Sequence, residues 1–214
     1  MADLSRRLLD AGIHELGLGL LPEAVQRLLD YQAELHKWNV AYNLTAIREP
    51  EQMATRHLLD SLALLPLISR RASSVRLLDV GSGAGLPGIV LALADPALQV
   101  VTLDSNGKKT RFMRHAVRTL GLGNVEVVEA RAEAWRPAAL FDCIVSRAFA
   151  SLADFFDKTA HLLAPGGQWL AMKGKLDAAE MADIPANIII RETHRLRVQG
   201  LNEDRHAVIA MLKT

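Results

Sequence analysis

The chain has a single cysteine, Cys143, among its 214 residues. An internal disulfide is therefore excluded, and with it the stapled small-domain folds of oxidising compartments. No apolar run approaches the roughly 20 residues that cross a bilayer. Met1-Ala2-Asp3-Leu4-Ser5 carries no signal-peptide pattern, so the expectation is a soluble, cytoplasmic protein. An excess of one charge is also lacking: 25 Lys and Arg stand against 24 Asp and Glu, a net of +1. A uniformly basic surface is ruled out, and any nucleic-acid contact must be a local patch. No His/Cys/Asp cluster has metal-ligand spacing, so no metal is expected. Repeats and low-complexity segments are absent. What is present is a chain half of whose residues are hydrophobic. It is long enough for one large domain, or for one of roughly 150–200 residues with an extension.

The first 70 residues read as helix only. Leu21-Pro22-Glu23 opens a helix with proline in its first turn. Val25, Leu28, Leu29, Leu35 and Trp38 then recur at near-helical spacing. Asn39 and Asn43 flank a break. A further amphipathic helix begins near Pro50 and carries Met53, His57, Leu58, Ser61, Leu62 and Leu65. The polar, basic stretch 69–74 ends it, which divides the chain into a helical N-terminal extension, 1–72, and a second unit, 73–214. From Val75 the pattern alternates. Strands are expected at 75–80, 100–103, 125–128, 143–145 and 169–172, and helices at 88–94, 108–120 and 152–162. Short apolar strands alternating with helices imply a parallel sheet covered on both faces. Residues 188–198 and 207–212 complete seven strands with no room for a helix between them, so this last pair is an antiparallel hairpin.

The densest signal is Leu77-Leu78-Asp79-Val80-Gly81-Ser82-Gly83-Ala84-Gly85-Leu86-Pro87-Gly88. An apolar strand runs into alternating glycines and a helix follows. Asp104 ends the next apolar run, Val100-Val101-Thr102-Leu103. Strand, glycine turn and downstream acid form a nucleoside-binding half-site. A dinucleotide turn wants glycine at the third place of G-x-G-x-x-G, and that place is Leu86. The G-x-G-x-G pattern looks like the cofactor loop of the S-adenosylmethionine (AdoMet) methyltransferases, whose cofactor brings no pyrophosphate to a helix N-terminus. By that resemblance the loop backbone lies along the methionine part and Asp104 accepts the ribose hydroxyls. Glycine triplets also occur in ordinary tight turns that need only φ > 0. Here strand, helix and acid stand in register. The expected fold is α/β: a class I, Rossmann-like methyltransferase with a mostly parallel seven-stranded sheet, a terminal antiparallel hairpin and the helical extension.

Further segments resemble one family closely. They are Trp38-Asn39 with Asn43-Leu44-Thr45, Arg56-His57-Leu58-Leu59-Asp60-Ser61, and Leu103-Asp104-Ser105-Asn106-Gly107-Lys108-Lys109. To these add Ser146-Arg147-Ala148-Phe149-Ala150-Ser151-Leu152 and Ala171-Met172-Lys173-Gly174. With 79–88 they cover nearly the whole chain, which resembles the RsmG (GidB) family. One departure is Glu203-Asp204-Arg205-His206, where the family has Gly-Glu-Arg-His; Arg205 and His206 keep the pattern. The resemblance implies methylation of N7 of a guanine in 16S ribosomal RNA of the small subunit, in the 530 loop near the decoding site. It implies AdoMet as donor and cofactor contacts at Gly81, Leu86, Ala132, Glu133 and Arg147, to which the glycine-loop reading adds Gly83 and Asp104. Adenine needs an acceptor for its amine and a donor for its ring nitrogen, which the Ala132 amide and the Glu133 group supply. Without the resemblance, Glu133 reads as a solvated loop acid.

Guanine N7 has a free lone pair at neutral pH, so attack on the sulfonium methyl needs no general base. Catalysis would come from orientation and fixed dipoles. An arginine bound to O6 and N7 together would occupy the attacking lone pair. A basic side chain is instead expected on O6 or a phosphate. Arg131, Arg147, Lys173 and Arg205 fall at strand ends, and parallel sheets present ligands at the carboxyl ends of their strands. Arg131, Lys173 and Arg205 are the RNA-binding candidates. Phe149 either stacks on a splayed guanine or packs at the sheet edge. Lys108, Arg111, His115 and Arg118 share one helix face, read either as a solvated stripe or as a phosphate track.

His57 and Ser61 stand four apart on the extension, and a lone helical histidine reads first as a structural hydrogen-bonder. Trp38, Tyr42 and Leu44 are expected to pin the extension to the core, and Cys143 to be inert packing. Cytosine carbon-5 methylation would need a nucleophilic cysteine, for which only Cys143 is available. Adenine amino methylation would need an Asn/Asp-Pro-Pro-aromatic run where Ser146-Arg147-Ala148-Phe149 stands. A small-molecule AdoMet methyltransferase, or a non-catalytic ribosome-binding protein that holds AdoMet, stays open. No long apolar strip is left over, so a monomer is expected.

Overall fold

The computed structural model describes residues 2–69, 74–147, 149 and 151–213. The division expected between 72 and 73 lies outside the described residues. Helices α1 (Ala2–Glu15) and α2 (Pro22–Tyr42) open the chain. Pro22 stands in the first turn of α2 and Asn43 ends it in the left-handed region at φ 48°. Asn39 is not a break: the helix runs through it. Its buried amide instead accepts from the Thr45 N–H (2.9 Å) and donates to the Ile47 carbonyl (3.1 Å), fastening the loop beyond.

The next helix is composite: α3 (Pro50–Met53), a π-helical stretch over Ala54–Leu59, then α4 (Asp60–Leu62). It is not amphipathic. Residues 53–65 are buried on every side except at Arg56, because the segment runs between α1 and the sheet-side helix α5 (Gly88–Ala94). Among the described residues, no helix is long and apolar enough to cross a membrane.

Strands β1 (Val75–Val80), β2 (Leu98–Asp104), β3 (Val125–Glu129), β4 (Phe141–Ser146), β5 (Leu163–Lys173), β6 (Ile188–Arg195) and β7 (His206–Leu212) form one sheet in the order β3-β2-β1-β4-β5-β7-β6. The first five are parallel, and β7 lies antiparallel between β5 and β6. The chain winds outward in one direction from β1 and in the other from β4, so the carboxyl ends of these two strands mark the switch point where such sheets bind ligands. Helices α6 (Gly107–Thr119) and α7 (Leu152–Thr159) cover the faces, and a short α8 (Ala178–Ala182) follows β5.

β5 begins earlier than expected. Pro165-Gly166-Gly167 reads as a turn, yet the strand absorbs it as an irregularity: Phe141 pairs with Leu163 and the register resumes at Cys143–Gln168. β6 stops at Arg195 rather than 198, although Leu196 still donates to the Arg205 carbonyl. Cys143 is buried in β4, its thiol pushed up to about 12 by burial, as inert packing requires.

The extension and the sheet unit share one core. Leu9, Ile13, Leu28, Tyr31 and Leu35 cluster with Ile89, Val90, Phe112 and Met113. Trp38 adds a ring contact to Phe112 at 5.7 Å and stacks on Tyr42 at 5.1 Å. The opposite face closes over Phe141, Phe155, Phe156 and Trp169. One polar tie joins α2 to the glycine loop: the buried Tyr31 hydroxyl donates to the Ala84 carbonyl at 2.7 Å. Tyr31→Phe leaves that carbonyl unpaired, an expected loss of about 1–2 kcal/mol. Melting should show it, together with weaker binding in the cleft above the loop.

Candidate functional site

The turn after β1 is built by positive φ at Gly81 (70°), Gly83 (60°) and Gly85 (90°), a conformation that only glycine adopts without strain. Its backbone is tied to β2. Gly81 donates to the Leu103 carbonyl (2.8 Å), and the Ser82 hydroxyl accepts from the Leu103 amide (3.1 Å). Gly83 donates to Asp104 Oδ2 at 2.8 Å, and Asn106 donates to Oδ1 at 2.9 Å. Asp104, the last residue of β2, is thus held against the loop.

Beneath the loop Asp79 is fully buried. Its Oδ2 accepts from the Gly88 amide at 2.8 Å, and among the described residues its Oδ1 has no hydrogen-bond partner. Burial pushes the carboxyl up to about 7, against the pull of the Gly88 amide and Ser82. The folded value stands above that of the unfolded chain. The stability linked to Asp79 is therefore fully present below about pH 4 and lost as pH rises through 7, at most about 4 kcal/mol. Asp79→Asn does not titrate. Relative to wild type, its melting temperature should improve steadily from pH 5 to 8; a constant difference over that range would rule out a protonated Asp79.

Two clefts open at this edge of the sheet. The first, about 200 Å³, is lined by Gly81, Asp104, Arg131, Ala132 and Glu133, with Phe149 and Lys158. The second, about 290 Å³, is lined by Arg56, His57, Asp60, Arg147, Lys173 and Arg205. The segment after β4 separates them, with Arg147 on one side and Phe149 on the other. Of the residues expected at a cofactor, Gly81, Asp104, Ala132 and Glu133 come together. Gly83 is not among the lining residues of that cleft; its amide is bonded to Asp104. The Leu86 side chain packs in the core. Arg147 lines the second cleft with Lys173 and Arg205, whereas Arg131 lines the first. Phe149 packs on Phe155, ring centres 5.1 Å apart. His115 leaves its stripe: it meets Glu34 of α2 at 2.7 Å and lies against Trp38, so Lys108, Arg111 and Arg118 remain as the exposed cations of that face.

Sequence reasoning assigned no role to Arg56 or Asp60, although both stand in a segment that carried the family resemblance. The π-helical stretch ends at Asp60, a turn type frequent at functional sites. Asp60 is nearly inaccessible. Arg147 Nη1 donates to its Oδ2 at 3.2 Å, and Arg205 Nε lies 3.5 Å from its Oδ1. Burial pushes its carboxyl up, while Arg147 and Arg205 pull it down. Arg56 pairs with Glu203, and Lys173 with Glu180 at 2.8 Å. Register explains the convergence: Lys173, the last residue of β5, pairs with His206, the first of β7, which brings Arg205 alongside.

His57 is no candidate base. Its Nδ1 lies 3.0 Å from the Arg56 carbonyl, to which it can only donate, so Nε2 accepts from the Thr45 hydroxyl at 2.9 Å. Burial, with the Arg147 charge, lowers its pKa to about 4. It is neutral and engaged on both sides.

The family model described as GidB, rRNA small subunit methyltransferase G, matches residues 24–208. A protein of that name from Chromohalobacter salexigens is 56% identical over 192 residues, covering 90% of each chain. One from Stenotrophomonas maltophilia is 50% identical over 202 residues, covering 94% of this chain and 92% of the relative. Among solved structures, TrmN from Thermus thermophilus superposes with a TM-score of 0.60 at 22% identity, over 72% of this chain and 48% of that one. A SAM-dependent methyltransferase from Aquifex aeolicus superposes at 0.58 with 16% identity, over 80% of this chain and 97% of that one. At such identities the likeness is one of fold.

Proposed function

Because the chain belongs to the GidB family, rRNA small subunit methyltransferase G, we propose that it methylates N7 of a guanine in 16S ribosomal RNA, in the 530 loop near the decoding site. Family and fold make it an AdoMet-dependent methyltransferase of small-subunit rRNA. The atom, the loop and the residues in each role are the proposal.

The observation that carries it is the cationic cleft. In a chain of net charge +1, Arg56, Arg147, Lys173 and Arg205 arrive from four separate segments at one opening beside the glycine-loop cleft. Such a local patch suits a polyanion brought against a nucleoside site. The first cleft fits AdoMet. Asp104 offers carboxylate lone pairs at its rim, and the space over Gly83 is open, with no atom nearer than 4.0 Å to an added Cβ.

When bound, AdoMet supplies an electrophilic sulfonium methyl. Ala132 and Glu133 address the adenine end and Asp104 the ribose. Arg147, in the lining of the second cleft, orients the acceptor base. Lys173, Arg205 and Arg56 hold phosphate, and N7 stays unbonded. No side chain has to remove a proton, in keeping with the doubly engaged, neutral His57. The catalytic contribution is orientation and a fixed field.

The test is methyl transfer from labelled AdoMet to small subunits lacking the modification, followed by chemical cleavage at 7-methylguanine. One strong band in the 530 loop is expected. AdoMet binding without transfer to subunits or naked RNA would leave only a small-molecule acceptor or a purely binding role.

A further inference from the structure

Asp60 is an odd residue for a cleft that receives RNA. It is a buried carboxylate, 4% exposed, at the base of an opening lined by Arg56, Arg147, Lys173 and Arg205. Among the described residues its Oδ1 has no hydrogen-bond partner, although Arg205 Nε lies within ion-pair range at 3.5 Å. A buried acceptor left unmet is costly, and a ligand that brings donors removes that cost while the surrounding cations are left to the RNA backbone.

Resting on the guanine reading above, we propose that Asp60 is the specificity residue for the target base, its carboxylate accepting from N1–H and N2–H of the guanine while Arg147 donates to O6. Arg147 Nη1 donates to Asp60 Oδ2 at 3.2 Å, which leaves the other Arg147 N–H groups as donors beside two acceptors, the unmet Asp60 Oδ1 and the second lone pair of Oδ2. Guanine's Watson–Crick edge presents the complement: O6 as acceptor, then two adjacent donors. Adenine sets an acceptor, N1, where the carboxylate needs a donor, and cytosine does the same with N3. Uracil has one donor between two carbonyls. Among the four bases only guanine satisfies the row, and recognition through this edge leaves N7 free.

The contact also favours the reaction. As the methyl transfers, positive charge passes from sulfur to the guanine ring, and N1–H and N2–H become stronger donors. A hydrogen bond to Asp60 therefore strengthens toward the transition state, so its loss appears in kcat as well as in binding.

The test uses small subunits reconstituted with 16S rRNA ligated to carry guanosine or inosine at the methylated position. Inosine lacks the 2-amino group and keeps N7. Wild-type enzyme is expected to methylate the inosine subunit about ten- to hundredfold more slowly, the worth of one hydrogen bond to a charged acceptor. Asp60→Asn is expected to slow the guanosine subunit by a similar factor and to reduce the inosine penalty to about twofold. If Asp60 only braces Arg147 and Arg205, the variant slows both substrates equally and the full inosine penalty persists, which overturns the proposal. Equal wild-type rates on the two substrates overturn it without any variant, so the test survives a poorly folding Asp60→Asn. Wild-type enzyme that transfers no methyl to the guanosine subunit would instead refute the reading of the activity on which the proposal rests.

Discussion

Replacing Arg147 with alanine is expected to cut methyl transfer by at least about 100-fold, the scale seen when a positioning group at a reacting centre is removed. The side chain follows β4 at the switch point of the sheet. It bonds Asp60 Oδ2 at 3.2 Å and lies 3.5 Å from the Arg56 carbonyl. Its charge is felt by His57, Asp60 and the buried Asp79. Truncation leaves the Asp60 carboxylate buried with only the longer Arg205 contact. Breaking a buried pair costs about 3–5 kcal/mol; the partly exposed guanidinium brings the expectation down to about 2–3. For a chain of this length the melting temperature should fall by about 4–12 °C. AdoMet affinity should fall with activity. Calorimetric titration separates the parts: unchanged AdoMet affinity with lost transfer would confine Arg147 to the acceptor base. Arg147→Lys keeps a charge but not the planar fork, so full rescue is not expected.

Gly88→Ala is expected to damage both the fold and AdoMet binding through a single added methyl. Gly88 opens α5 directly over Asp79. A Cβ there would stand 2.8 Å from Asp79 Oδ2, 2.9 Å from Asp79 Cβ and 3.0 Å from Thr102 Cγ2. None of these atoms is the end of a flexible surface chain: Asp79 and Thr102 are fully buried. Relief requires moving the carboxylate off the Gly88 amide or tilting α5 away from β1. Overpacking of this kind costs about 1–3 kcal/mol, and the strained hydrogen bond adds about 1 more. The expected drop in melting temperature is about 5–15 °C. AdoMet affinity should fall at least about tenfold, because the loop 81–85 is anchored through Asp79 and Ser82. Gly123→Ala is the control, since nothing lies within 4 Å of its added Cβ. A Gly88→Ala protein that melts and binds AdoMet like the control would show that the segment yields freely.

Much of this molecule is written in local pattern. The alternation after Val75, the glycine loop and Asp104 needed only strand periodicity and the steric freedom of glycine, and the strands and α5 lie where those rules place them. β5 was less legible, because Pro165-Gly166-Gly167 is a turn by local propensity and becomes strand only when β4 pairs alongside. The composite helix over 50–62 was legible as helix but not as buried on all sides, since its polar residues His57, Asp60 and Ser61 imitate a solvent face. His115 fitted a basic stripe by spacing alone; Glu34 and Trp38, far away in sequence, draw it inward.

By itself the sequence determined the fold class, the glycine turn after β1 and the family, because these rest on residue order and short spacings. Only the tertiary structure decided that Arg147 stands with Arg205 and Lys173 around Asp60, while Arg131 turns to the other cleft. That grouping follows from strand order and from β7 entering antiparallel beside β5, which brings the start of one strand to the end of another. Periodicity reports which way a side chain faces within its own element. It carries no information on which distant segment faces back, and the chemistry of the second cleft lies in that meeting.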